Sequence, residues 1–237
     1  MKTVIIFDAS TFMYRSFFGK PEDPLSGLTY LIDRVFEFHK PDEAIAAFDH
    51  GKETFRNKLY SGYKGARRET PPEYTALQPS MRDCFASRGL KILSVKGYES
   101  DDIIGTLCKS DTYLEYQRVI LSRDKDLMQL IGEGVCMCND GAFVYTDDVI
   151  AKFGVGPALV TDVLGLQGDR TDNIPGVAGV GAKTASKLVQ DFGALENLFE
   201  NLPQVQPDRV RMLLQQGKEA AFLSRELATI KTDVPLD

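Results

Sequence analysis

At 237 residues, with 43% hydrophobic side chains, the chain is long enough to fold around its own core, as one large domain or a large and a small one. Cys84, Cys108, Cys136 and Cys138 form no two-pair pattern and have no histidine beside them, which argues against a zinc site and suits buried or inert thiols in a reducing compartment. The net charge of −6 argues against a polyanionic partner only if the acids are spread evenly, so their distribution matters more than their sum.

In chain order, the start MKTVIIFDAS has too short an apolar run for a signal peptide, and no 18-residue apolar run is expected after it, which predicts a soluble, cytoplasmic protein with no membrane partner. Short apolar runs follow at 3–8 (TVIIFD), 43–49 (EAIAAFD), 91–95 (KILSV) and 118–122 (RVILS), separated by helical patterns such as GLTYLIDRVFEFH and DDIIGTLCKS. This alternation predicts an α/β domain with a mostly parallel sheet and crossover helices. The polar stretch from Tyr60 to Met81 is long for a connection and reads as functional or mobile. Beyond about residue 146 the pattern is helical throughout, so we expect an α/β core over 1–150 and a helical subdomain over 151–237.

Acids close the predicted strands. Asp8 ends the first and Asp49 the second; Glu99, Asp101 and Asp102 follow the third; Asp124 and Asp126 follow the fourth. One Asp after a strand is ordinarily a helix cap. Four strands delivering acids to one carboxyl edge exceed what capping explains, and that edge is where open parallel sheets bind ligands. Converging carboxylates repel unless cations neutralise them, and oxygen-only ligands favour Mg²⁺ or Mn²⁺ over zinc. With only His39 and His50 present, a Ser-His-Asp hydrolase has no support, whereas two-metal phosphoryl chemistry suits the acids. Glu99 and Asp102, like Asp169 and Asp172, are spaced to share one face.

Two further segments carry charge and glycine. From Lys52 to Arg68 the cations Lys52, Arg56, Lys58, Lys64, Arg67 and Arg68 interleave with Phe55, Tyr60 and Tyr63. That pattern suits unpaired nucleic acid, or a solvated helix face with Tyr60 packed inward; its place directly after Asp49 favours the first. The stretch GDRTDNIPGVAGVGAKTA at 168–185 is no P-loop, because Ala182 separates Gly181 from Lys183 and no strand precedes it. It suits a turn between two helices, the second starting near Ala182, with backbone amides that grip phosphodiesters.

FDAS, YRSFF, FDHGKETFRNKLYSGYKGAR, ESDDIIGTL, SRDKDLMQL, GDRTDNIPGVAGVGAKTA and LATIKTDV together resemble the 5′-nuclease (flap endonuclease, 5′–3′ exonuclease) superfamily, most closely the N-terminal 5′-nuclease domain of bacterial DNA polymerase I. The resemblance implies a PIN-like α/β fold with a C-terminal helical subdomain, a helical arch near 60–85 and a helix-two-turn-helix element near 170–192. It implies two or more Mg²⁺ or Mn²⁺ ions: Asp8, Asp49, Glu99, Asp101 and Asp102 around the one that activates water, and Asp124, Asp126, Asp169 and Asp172 around the second. Lys64 is implied at the scissile phosphate with Arg15 nearby, Tyr63 stacked on a displaced base, and K⁺ at the glycine turn.

Among the implied DNA-binding residues are Lys52, Arg56, Tyr60, Arg67, Gly179, Gly181, Lys183 and Lys187. The implied partner is DNA with a 5′ flap, nick or gap, or an RNA primer/DNA hybrid, handled by a monomer in replication and repair. A PIN-like ribonuclease and a silent junction-binding module are the rival readings, and the chain could be free-standing or part of a polymerase. Arg123, where relatives commonly have Gly, and Tyr98, where a smaller residue is usual, are departures. With nine of the 34 acids set aside on metal ions, 25 face 28 basic residues, so the negative total no longer argues against DNA.

Overall fold

The computed structural model describes residues 1–67 and 69–236; Arg68, the last cation of the basic run, lies outside the described residues. The four predicted apolar runs form β1 (Lys2–Asp8), β2 (Glu43–Ala47), β3 (Lys91–Leu93) and β4 (Tyr116–Leu121), and two strands that the pattern did not reveal follow, β5 (Val135–Asn139) and β6 (Ala142–Val144). The sheet order is β3-β2-β1-β4-β5-β6, parallel except for the β5/β6 pair. Asp140 and Gly141 join that pair with φ of 51° and 86°, the left-handed two-residue turn whose twist matches a hairpin.

β1 pairs with β2 on one side and β4 on the other. The winding therefore reverses at β1, and a crevice opens at the carboxyl ends of β1 and β4. Alternation along β1 fills two cores. Val4 and Ile6 pack on one face with Ile45, Ile104 and Ile120, while Ile5 and Phe7 pack on the other with Phe12, Ile32 and Phe85. Each such fully buried side chain contributes roughly 1.5–3 kcal/mol of transfer free energy, which is why the edge acids have a rigid support.

The helices are α1 (Ala9–Gly19), α2 (Pro24–His39), α3 (Phe55–Leu59), α4 (Pro72–Ala86), α5 (Ser100–Lys109), α6 (Thr146–Phe153), α7 (Val160–Gln167), α8 (Ala182–Phe192), α9 (Leu195–Glu200) and α10 (Asp208–Ala228). α1, α2 and α4 supply the core on one sheet face, and α5 with the C-terminal helices supplies the other. The architecture is thus the expected PIN-like α/β layer with a helical layer after it. One expectation changes. The second half of the arch segment is α4, whose Tyr74, Met81 and Phe85 are buried in the core; among the described residues of the segment, 60–67 and 69–71 are irregular. Pro79 inside α4 removes one backbone donor, and this, with the polar composition, hides from the residue pattern a helix that the resemblance implied.

Residues Thr146–Gln167 are long and apolar enough by composition to cross a membrane, contrary to the expected absence of such a stretch. Gly154, left-handed at φ 76°, stops α6, and a 3₁₀ turn at Pro157–Leu159 precedes α7, so the segment folds as two eight-residue helices. Val149, Val160, Val163 and Leu164 bury their side chains in the protein core. Between α7 and α8 the backbone folds back so that Gly168 and Gly176 touch; a Cβ on Gly168 would lie 2.5 Å from the Ile174 carbonyl oxygen.

Candidate active site

The acids of the carboxyl edge divide by what neutralises them. Asp8 caps α1, accepting from the Thr11 amide at 3.3 Å, and its other oxygen accepts from the Ser122 hydroxyl at 2.6 Å. Asp49 accepts from the Ser100 amide at 2.8 Å and from Ser10 Oγ at 3.1 Å. Asp124 caps the 3₁₀ turn after β4 and accepts from the Asp126 amide at 2.9 Å. These partners are neutral, so they orient the carboxylates without cancelling charge. Burial, then repulsion from Asp124 and Asp8, holds the Asp101 carboxyl well above the usual carboxylate range. Asp8 is raised by burial and by Asp49, against the hydrogen bonds it accepts. Burial and Asp124, with smaller contributions from Asp169 and Asp172, push Asp126 up to about 7. Each acid repels the next, from Asp49 through Asp8, Asp101 and Asp124 to Asp126.

The remaining acids have cations. Arg56 and Asp102, 2% and 0% exposed, form a bidentate pair with both bonds at 2.8 Å, and the same guanidinium reaches Glu99 at 3.3 Å. Arg56 also donates to the carbonyls of Leu227 and Thr229. Burial alone would lower its pKa; the hydrogen bonds and charge of Asp102 raise it instead. Lys64 Nζ donates to Glu99 at 2.6 Å, Arg67 pairs with Asp172, and Lys125 with Asp169. Burial works against Lys64 too, but Glu99 and Asp172 hold its pKa up. For Asp169, burial is outweighed by Lys125 and by the Thr171 and Asp172 amides, so its pKa is lowered.

Several residues therefore differ from expectation. Arg56, expected on DNA, is an internal counterion. Asp102, expected on an ion, has both oxygens committed: Oδ1 also accepts from the Lys231 amide and Oδ2 from the Glu99 amide. Tyr63, expected to stack on a base, is 5% exposed, and its hydroxyl donates to Glu99 at 3.0 Å and Asp172 at 3.3 Å. Burial and those acids raise its pKa, keeping it a proton donor. Lys64 is left-handed at φ 56° with its amide on the Asp172 carbonyl, a sparsely populated conformation held by its surroundings. Arg15 pairs with Asp140 and not with the Lys64 group. Tyr60 packs against the core; Lys52, Gly179, Gly181, Lys183 and Lys187 are exposed.

Sequence reasoning missed Thr11, Ser122 and Lys125, which hold Asp8 and Asp169. Two of them could have been suspected from SRDKD, which places a hydroxyl and a lysine beside the strand-end acids. Among the described residues, no three carboxylate, thiol or imidazole groups converge as a finished ion cage. The donor set nevertheless fits hard cations. Asp126 Oδ1 is buried without a hydrogen-bond partner, it belongs to the repelling row, and every candidate ligand is an oxygen.

A resolvase-like sheet with acids gathered at its switch point, followed by a helical layer that packs on the same core, defines the class of 5′ nucleases. Residues 3–154 match the family described as 5′-3′ exonuclease, N-terminal resolvase-like domain, and residues 155–237 its C-terminal SAM fold. The DNA polymerase I of Bacillus subtilis (strain 168) is 36% identical over all of this chain and 28% of its own length, and the thermostable DNA polymerase I of Thermus thermophilus is 36% identical over 99% and 29%. The chain thus spans less than a third of these curated relatives. Among solved structures, T5 5′-exonuclease with zinc bound has a TM-score of 0.84 at 22% identity, covering 96% of this chain and 89% of that one. The Rad2 catalytic core in complex with DNA substrate has a TM-score of 0.62 at 15% identity, over 100% and 83%. This chain belongs to the 5′-3′ exonuclease family.

Proposed function

We propose that the protein is a Mg²⁺- or Mn²⁺-dependent, structure-specific 5′ nuclease that hydrolyses phosphodiesters at single-strand/duplex junctions. The products are a 5′-phosphate and a 3′-hydroxyl, and the setting is replication and repair of nucleoid DNA in the cytoplasm, by a monomer. The observation that carries this reading is the row of mutually repelling acids ending in the unpartnered Asp126 oxygen. Support for the substrate comes from the relatives: T5 D15 flap endonuclease has been solved with DNA and metal ions, and Rad2 with DNA substrate.

Asp8, Asp49, Asp101, Asp124 and Asp126 would hold the ions, with Glu99, Asp169 and Asp172 available as their cations leave. Bound ions supply a water nucleophile near neutral pH and neutralise the charge of the transferring phosphate. The chain's own contribution begins with an exchange of partners. Lys64, Arg67 and Lys125 now neutralise Glu99, Asp172 and Asp169, and a phosphodiester arriving at that edge offers them an alternative anion. Lys64 Nζ then orients the scissile phosphate. Thr11 and Ser122 fix Asp8 by donating to it, and Arg56 with Asp102 keeps the start of α5, and so Asp101, in place.

Beyond the edge, Lys183 and Lys187 and the amides after Gly181, which lack a side-chain cap, would hold duplex phosphates, with K⁺ at the turn. A 5′-flap DNA tests the whole. Asp101→Asn and Asp8→Asn are expected to lose cleavage by about 10²-fold or more in Mg²⁺ while retaining binding in Ca²⁺. Undiminished cleavage by both would sink the assignment. Faster cleavage of single-stranded RNA than of the flap would move it to a PIN-like ribonuclease, and cleavage of neither by the intact chain to a junction-binding module.

A further inference from the structure

A cavity of about 350 Å³ lies outside the acid row, between α1, α2 and the β5–β6 hairpin, a size within the roughly 300–1,000 Å³ of small-ligand sites. Its cations are Arg15, Arg34 and Arg123, against the single carboxylate Asp140. Arg15 and Arg123 pair with opposite oxygens of Asp140, so one side-chain carboxylate occupies the position of an anion between two guanidiniums. The left-handed turn at Asp140 and Gly141 fixes that carboxylate there. Arg34 has no acidic partner among the described residues; it reaches the Tyr30 hydroxyl at 3.4 Å. Tyr30 and Phe38 are 60% and 63% exposed, large apolar rings left in water at the cavity wall. The inner end is lined by Thr11 and Ser122, the two hydroxyls that hold Asp8.

We propose that this cavity binds a nucleoside monophosphate group, its phosphate bridging Arg15 and Arg123 in place of Asp140 and its base against Phe38 and Tyr30. Paired guanidiniums match the planar fork geometry that phosphate oxygens accept. Flat rings beside a cation suit a base, with Arg34 able to stack or to hydrogen-bond its edge. Because Thr11 and Ser122 line the cavity and donate to Asp8, the occupant lies one side chain away from the row of acids. The source of the phosphate rests on the nuclease reading: either a free mononucleotide or the terminal nucleotide of a strand. Binding itself does not rest on it.

Calorimetric titration of the whole chain in EDTA, where no cleavage occurs, separates the two questions. Deoxyadenosine monophosphate is expected to bind saturably, with inorganic phosphate and deoxyadenosine each weaker by about tenfold, since each lacks half of the recognition. Arg123→Gly should weaken deoxyadenosine monophosphate by about tenfold, and Asp140→Asn should tighten it by freeing both guanidiniums. Both sites are exposed, and unchanged melting temperatures would show that the variants are folded. No saturable binding to the unaltered chain in the millimolar range, or equal binding of the monophosphate and the phosphate-free nucleoside, overturns the proposal. So does affinity indifferent to both substitutions. Displacement of the mononucleotide by an oligonucleotide with a 5′-phosphate, but not by its unphosphorylated form, assigns the strand end; displacement by neither assigns the free mononucleotide. Cleavage of the flap substrate is scored separately, so loss of this site leaves the nuclease reading standing, and the reverse.

Discussion

The acids of one sheet edge fall into two halves with opposite electrostatics. Glu99, Asp102, Asp169 and Asp172 each have a cation within reach, whereas Asp8, Asp49, Asp101, Asp124 and Asp126 have hydroxyls, amides and one another. The first half is neutral as it stands and contributes rigidity. The second carries repulsion that protons or cations would relieve, and it is the half that holds the ions in the proposed function. Residue type and position at a strand end do not separate the two; the sequence-distant arginines and lysines do.

The sharpest test of this contrast is to remove the buried cation from the first half. Arg56→Met leaves Asp102, fully buried, without its counterion, and is expected to destabilise the fold by about 3–5 kcal/mol. Urea unfolding of Arg56→Met beside Arg56→Met/Asp102→Leu checks it, with the double variant recovering most of the loss. A single-variant cost below about 1 kcal/mol would mean that water reaches Asp102 and the halves are alike.

In the second half the sign reverses. Asp126 titrates near 3.8 when unfolded and at about 7 when folded, so between those values the native state binds more protons and metal-free stability falls as pH rises. Asp126→Asn should therefore stabilise the metal-free protein at pH 8, by about 1–3 kcal/mol once screening is allowed for, while cleavage is lost. The thermal midpoint of the unaltered chain in EDTA should drop on going from acid to pH 8, and Mg²⁺ should restore it by binding the native state. A midpoint flat across that range, and indifferent to Mg²⁺, would remove the distinction.

A test away from the edge asks whether the turn between α7 and α8 is equally rigid. Gly176 has φ 63°, and a Cβ there would collide with the backbone of Gly168. Gly176→Ala should cost about 1–3 kcal/mol and weaken duplex binding together with stability, as read by denaturation and by fluorescence anisotropy. Loss of affinity without loss of stability would mean that the turn touches DNA directly at this position.

Much of this was legible in the residues. Acids after four apolar runs predicted a loaded carboxyl edge, and the central strands came out where β-branched runs stood. β5 and β6 were missed because VCMCN and AFV are short and show no clear alternation. The Asp140–Gly141 pair between them is nevertheless a strong hairpin signal. The residue pattern hid helix α4 behind Pro71, Pro72 and Pro79, although the resemblance implied a helical segment there; propensity weighs proline heavily, and the tertiary burial of Tyr74, Met81 and Phe85 is not visible locally. Within the site, local pattern placed the acids but not their partners. Arg56 looked like part of a DNA-facing run because its neighbours Lys52 and Lys58 are exposed; its inward direction is set by Asp102, 46 positions away along the chain. Tyr63 was misread for the same reason, its acceptors Glu99 and Asp172 coming from the cap of α5 and the turn before α8.

The smallest expected effect concerns charges that belong to neither half. Lys183 and Lys187 stand on the exposed face of α8; among the described residues Lys187 is tied only to Asp191, one turn further on, in a solvent-exposed pair at 2.7 Å. Such pairs contribute about 0.3–0.5 kcal/mol, so Lys187→Ala should leave stability within about 0.5 kcal/mol. If the lysines meet duplex phosphates, each removed cation returns one counterion's worth of salt dependence. The slope of log K against log salt should then become shallower by about 0.9 per lysine, whatever the duplex sequence. Asp191→Asn adds a second arm, because freeing Lys187 should strengthen binding most at low salt, where screening is weakest. Equal slopes for the unaltered chain and the Lys183→Ala/Lys187→Ala variant would take both lysines off the duplex and leave the glycine-turn amides alone to hold it.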